Sequence, residues 1–183
     1  LGGIVAILWA IYNKEKFQIK KREIFPLLGV GVLFSIQLGF MNVGQNFTSG
    51  GHGVIMITTF PLWSSIFSHI FVPNDKLTKL KILGMVIAYG GILILFWESL
   101  RDSKSDYFFG DILMLTSAML LGARQIYISQ IAQGISQINI LLSQAIIGII
   151  SFFIFSTILE TENYIYSISL ALALFYQGII IAG

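Results

Sequence analysis

Arg124 lies well inside an apolar run that extends from Gly110 to Ala132. A guanidinium within a bilayer-spanning helix costs about 2.5–3.5 kcal/mol on insertion scales, so it must face a partner or water rather than lipid. At helical spacing Ser117 and Tyr127 share its face, and the three form one polar stripe directed at a central cavity. A positive charge in such a stripe suits an anionic or carboxylate-bearing solute. The competing reading has Arg124 snorkel to the headgroups at the inner end of its span.

A second set lies between Val54 and Val72, where Thr58, Pro61, Ser65 and His69 fall roughly along one face. They border a solute route if Pro61 supplies the bend that alternating access needs. Helix packing accounts for the small hydroxyls as well. Gln37, Gln144 and Gln177 sit on three further apolar runs. Buried amides in hydrocarbon need partners, so they either bind a solute at the midplane or hold helices together. His52 and His69, near opposite surfaces, read as interfacial residues, and Trp9, Trp63 and Trp97 as belt or packing residues.

Other chemistries find no residues to carry them. No Asp or Glu lies deep in an apolar run, so no proton relay is legible in this chain. With no Cys and only two His, there is no thiolate or metal cluster, no nucleophile with a base and orienter, and no phosphate loop. No enzyme and no cofactor are expected. No basic run interleaves with exposed aromatics, which argues against nucleic-acid binding.

The elements that position these residues follow from composition. Of 183 residues, 56% are hydrophobic and 11% charged, with mean hydropathy +0.84. A soluble domain carries about 25% charged residues. Runs long enough to cross a bilayer, which needs about 20 residues, predict helices near 26–43, 53–72, 82–97, 110–132 and 138–159, with incomplete ones near 1–12 and 168–183. The chain opens at Leu1 inside one apolar run and stops at Gly183 inside another, so it is expected to be an internal piece of a longer protein. Pro61 is read as a kink within its helix, with the Thr58 and Thr59 hydroxyls taking the freed carbonyls. Small residues at intervals of four, Gly31, Ser35 and Gly39 on one helix and Gly84 and Ala88 on another, predict close helix contact.

Charge orients the bundle. The loops at 13–23 and 73–81 hold eight Lys or Arg, against two in the loops at 98–109 and 160–168. By the positive-inside rule the first pair faces the cytoplasm.

The stretch from Phe47 to Phe96 is similar to the EamA-like family of the drug/metabolite transporter superfamily. Its motifs are Phe47-Thr48-Ser49-Gly50-Gly51 opening a helix, Pro61 within it, the turn Asp75-Lys76-Leu77-Thr78, and Gly84 and Gly91 on the next helix. Gly110-Asp111 resembles the opening of the family's second half. The resemblance implies an all-α polytopic membrane bundle, part of ten helices in two inverted five-helix repeats, with 1–97 ending the first and 110–183 starting the second. On that map the basic loop at 13–23 and the acidic loop at 160–168 are equivalents on opposite sides, as inverted repeats require. It further implies a permease or exporter of small metabolites or amphipathic compounds in the bacterial inner membrane. Its partners would be a small-molecule substrate, the lipid bilayer and, as a candidate, a second copy in a homodimer. The alternative is a non-transporting membrane scaffold or assembly subunit whose polar groups only join helices.

Overall fold

The structure is a computed structural model and describes residues 12, 19–95, 97, 101, 107–131, 133–159 and 167–176. Gln177 and most of the loops at 13–18, 98–106 and 160–166 therefore lie outside the described residues, as does nearly all of the run at 1–12. The described residues are helical and contain no strand. In chain order the helices are α1 (Lys21–Asn46), α2 (Gly50–Ile57), α3 (Phe60–Phe71), α4 (Lys79–Leu95), α5 (Phe108–Ile131), α6 (Gln137–Leu159) and α7 (Ile168–Phe175).

Among them, α1, α2 with α3, α5 and α6 are long and apolar enough to cross a membrane. Much of the apolar surface is turned outward, beside a buried set that mixes apolar and polar residues. Phe25, Ile149 and Phe153 are at least 70% exposed, whereas Ser35, Gln37, Ser117 and Asn139 are buried. Polar groups inside and apolar groups outside are what a hydrocarbon solvent selects. This is an integral, multi-pass membrane protein.

Helix ends differ from the sequence expectation for local reasons. The helix predicted from Pro26 begins at Lys21, because Glu23 closes its first turn: the Lys20 N–H donates to Glu23 Oε2 at 3.2 Å. Pro26 thus falls inside α1. The run at 53–72 is interrupted rather than only bent. α2 ends at Ile57 and α3 begins at Phe60, with Thr58 and Thr59 both keeping right-handed helical dihedrals. Pro61 has no N–H to return to Ile57. The Thr59 N–H turns to the Met56 carbonyl at 3.2 Å, and the Ile55 carbonyl it forsakes accepts the Thr58 hydroxyl at 2.9 Å.

The described chain divides into two compact units. One is Ile36–Ile131; the other joins the residues up to Ser35 to those from Ala132 onward. In the latter, α1 and α6 meet where a Cβ on Gly31 would stand 2.3 Å from Ile147 Cδ1, and one on Gly148 would stand 3.0 Å from Phe34 Cε1. In the former, α2 and α3 both pack on α5. Gly122 brings α3 close: a Cβ there would lie 2.8 Å from the Ser64 nitrogen. Gly39 and Gly84 have nothing within 4 Å of an added Cβ, so only the Gly31 end of the first small-residue seam is filled among the described residues.

Candidate functional site

The unit Ile36–Ile131 contains a cleft of about 550 Å³ between α3 and α4, reached by Ile126 of α5. Helical spacing builds its walls. Pro61, Ser65 and Ser68 stand on successive turns of α3, and Met85, Tyr89 and Ile92 on successive turns of α4. Gly84 and Ala88 also face it, so the small residues read as a contact seam instead widen this cleft. Thr58, at the break between α2 and α3, forms part of the lining.

The hydroxyls in the lining differ in what they are committed to. Thr58 Oγ1 is bound to the Val54 and Ile55 carbonyls at 2.8 and 2.9 Å, and Ser64 Oγ donates to the Pro61 carbonyl at 3.1 Å. Ser65 and Tyr89 make no hydrogen bond among the described residues and are half-buried at the cleft. Their hydroxyls are uncommitted on walls that are mostly apolar away from Asp75 and Lys81.

The turn that joins α3 to α4 contributes Asp75 and Leu77 to the lining. Asn74 takes a left-handed backbone, φ 66°, which Asn tolerates better than most residues. The turn brings Asp75 back against α3. Its carboxylate accepts the Ser68 hydroxyl and pairs with the Lys81 ammonium. Thr78 Oγ1 accepts the Lys81 N–H at 3.3 Å, capping α4, and the Leu77 N–H donates to His69 Nδ1 at 3.3 Å. The acidic-basic-Leu-Thr motif is therefore a clamp between α3 and the start of α4, beside the cleft.

Lys81 first, then Ser68, hold the Asp75 carboxyl below the usual carboxylate range. A depressed folded-state pKa stabilises above the unfolded value and is lost as pH falls through the folded one. Asp75→Asn is thus expected to lower the thermal midpoint in detergent by a small, constant amount across about pH 5 to 8. The two proteins should melt together once the pH drops below the carboxyl's depressed range. A difference that persists in acid would show that the clamp is not ionic.

The remaining sequence-predicted residues fall elsewhere. Gln37 and Ser117 are brought together, both buried: Gln37 Nε2 donates to Ser117 Oγ at 3.1 Å, and Ser117 Oγ donates to the Gln37 carbonyl at 2.9 Å. Ser117 therefore belongs to a helix joint, and the stripe it was expected to share with Arg124 and Tyr127 does not line the cleft. Arg124 and Tyr127 are half-buried on α5. Gln144 is on α6 in the other unit, where its amide donates to the Ile140 carbonyl at 3.3 Å.

At the opening of α2 the structure joins residues that helical spacing does not bring together. Ser49 caps α2, its hydroxyl accepting the His52 N–H at 3.2 Å. His52 Nδ1 lies 2.8 Å from Asp111 Oδ2, and the Thr48 hydroxyl donates to Asp111 Oδ1. Both His52 and Asp111 stand in the first turns of apolar helices, each beside a glycine; that shared placement was the available signal.

Comparison with family models matches residues 1–97 to the EamA-like transporter family, more than half of the 183 residues. The chain belongs to the EamA-like transporter family. Within the matched region lie the capped opening of α2, the Pro61 interruption and the Asp75 clamp. The uncharacterized transporter YoaV of Bacillus subtilis (strain 168) is 22% identical over 161 residues, 87% of this chain and 55% of its own length. An uncharacterized transporter of Archaeoglobus fulgidus is 26% identical over 94 residues, 51% of this chain and 34% of its own length. The chain thus spans about half or less of these curated relatives. No solved structure matches it.

Proposed function

We propose that this EamA-like chain is part of a permease that moves a small metabolite or exports an amphipathic compound by alternating access, with the α3–α4 cleft as part of the solute route. The observation that carries the reading is the presence of Ser65 and Tyr89, two uncommitted hydroxyls, in the lining of a mostly apolar cleft beside an interrupted helix. Apolar walls take the body of an amphipathic solute and hydroxyls orient its polar end. The interruption at Thr58–Thr59, where the Thr59 N–H turns to the Met56 carbonyl, is the place at which α3 would tilt. Residues 1–97 and 110–183 would belong to two inverted repeats that rock against each other, in a bacterial inner membrane and, as a candidate assembly, a homodimer. Arg124, Tyr127, Gln144 and Gln177 remain candidate solute contacts of the full protein.

Gly84→Trp tests the cleft. A Cβ on Gly84 meets nothing within 4 Å, so the indole can enter the cleft without displacing backbone. The full-length protein, reconstituted in liposomes and screened with labelled metabolites and lipophilic cations, should lose transport about tenfold or more with its thermal midpoint held, since access to a filled site is lost while the fold is not. Undiminished transport in Gly84→Trp would remove the cleft from the route.

The scaffold reading has one observation in its favour. Gln37 and Ser117 spend their hydrogen bonds on each other. Indifference of transport to both Arg124→Ala and Gln37→Ala would strengthen it.

A further inference from the structure

α1 and α6 touch where Gly31 meets Ile147 and Gly148 meets Phe34. On the N-terminal side of that contact a groove of about 360 Å³ opens between them. Its apolar walls follow helical spacing, with Ile24, Leu27 and Leu28 from α1 and Leu142, Ile146 and Ile147 from α6. Ile24, Leu28 and Ile146 are exposed, so the groove is open along its flank to the lipid around the bundle. Asn139 and Ser143 supply its polar atoms, and the Ser143 hydroxyl donates to the Ile140 carbonyl at 2.8 Å.

Charge is concentrated at one end. Ile19 and Ile24 both line the groove, and the chain between them reads Lys20-Lys21-Arg22-Glu23. The three basic residues are exposed. Glu23 is only 5% exposed and accepts the Lys20 N–H at 3.2 Å, so its carboxylate is turned into the first turn of α1 while the cations face outward.

We infer that this groove binds one anionic phospholipid, with an acyl chain lying between α1 and α6 and the phosphate held by Lys20, Lys21 and Arg22.

Each half of the site has a simpler explanation when taken alone. Setting the orientation of the chain needs the charges but no groove. Ordinary lipid contact needs an apolar surface but no cations. An apolar groove that leads to three outward-facing cations matches both parts of a single amphiphile, and basic pockets between helices at a membrane surface take anionic headgroups in this way.

The two halves contribute differently. Lipid tails are as apolar as leucine, so moving an acyl chain from the bilayer into the groove brings packing but no hydrophobic gain. The groove therefore sets where the lipid lies, and the phosphate sets how tightly it is held. Arg22 can grip a phosphate through two parallel N–H donors, while Lys20 and Lys21 act as point charges. A zwitterionic headgroup brings its own cation, which the same three residues repel. Occupancy would wedge the basic ends of α1 and α6 and leave the Gly31 contact as it is. The inference rests on neither the α3–α4 cleft nor any transported solute.

The test is native mass spectrometry of the full-length protein released from detergent that carries equal amounts of phosphatidylglycerol and phosphatidylcholine. One phosphatidylglycerol is expected to be retained about tenfold or more over phosphatidylcholine, since each cation near an anionic headgroup multiplies binding several-fold. Replacing all three cations together, as Lys20→Gln, Lys21→Gln and Arg22→Gln, should abolish that preference. Ser143→Trp fills the groove with the cations in place and should lower retention of phosphatidylglycerol about tenfold; Ile146→Trp, at an exposed lining position, is the second filling variant. Excess glycerol phosphate, which offers the charge without the chain, should not displace the lipid. Equal retention of the two lipids, an undiminished preference in the triple variant, or undiminished retention in both filling variants would each overturn the site. Displacement by glycerol phosphate would overturn the part given to the groove. Should the triple variant fail to insert, the two-lipid comparison and the filling variants decide.

Discussion

Gly110→Val is expected to destabilise the protein more than any other single change considered, by about 3 kcal/mol or more. A Cβ at this position would lie 2.4 Å from the Phe47 carbonyl carbon, 2.5 Å from its oxygen and 2.7 Å from the Thr48 nitrogen. All three are backbone atoms, so no rotamer change relieves the clash. The segment Phe47–Ser49 would have to leave α5, taking with it the Thr48 and His52 bonds to Asp111 and the edge-to-face contact of Phe47 with Phe109. In detergent the thermal midpoint should fall by roughly 6–12 °C, at about 2–4 °C per kcal/mol for a chain of this size. Gly91→Ala is the control. It has nothing within 4 Å of the added Cβ, and replacing an exposed helical glycine is expected to be neutral or to stabilise by up to about 1 kcal/mol. Equal stability of Gly110→Val and Gly91→Ala would mean that the loop before α2 does not lie against α5.

Ser117→Ala is expected to cost about 1–2 kcal/mol, whereas Gln37→Leu should cost little. The difference lies in what each leaves behind. Gln37 Oε1 already has no hydrogen-bond partner among the described residues. Removing the Ser117 hydroxyl strands Gln37 Nε2 as well, so a whole buried amide loses its partners. Removing the amide instead takes both of its polar atoms away and leaves Ser117 Oγ donating to the Gln37 backbone carbonyl at 2.9 Å. A double-mutant cycle read by thermal unfolding in detergent should give a coupling near the upper end for interhelical bonds in membranes, about 1–1.7 kcal/mol. If Gln37→Leu instead proves the more damaging change, Oε1 has a partner outside the described residues and the joint is part of a larger polar network.

The helices could be read from residue order because hydrocarbon imposes a strict local rule. A run such as Gln137–Leu159 has no charge and must satisfy its backbone internally, so its existence and approximate ends follow from composition. The Asp75-Lys76-Leu77-Thr78 turn and the Ser49 opening were legible for a similar reason: their bonds span three to seven residues. Even there the ends moved. The first turn of α1 absorbed residues assigned to the basic loop, because charged side chains are tolerated outside the apolar core and Glu23 caps the extension.

Contacts between distant segments had no such local mark. Gln37 and Ser117 are 80 residues apart and His52 and Asp111 are 59 apart; helical spacing assigns each to a face but does not say which faces meet. Gly84 and Ala88 show the ambiguity, since small residues at that interval permit either close contact or open space, and here they widen a cleft. Order along the chain was enough to establish a membrane-spanning helical protein and the turns between its rods, since lipid tests every residue by the same short-range criterion. Which polar groups are spent on one another, as Gln37 is on Ser117, and which, like the Ser65 and Tyr89 hydroxyls, stay available was settled by packing, because each outcome depends on a partner that no neighbouring residue specifies.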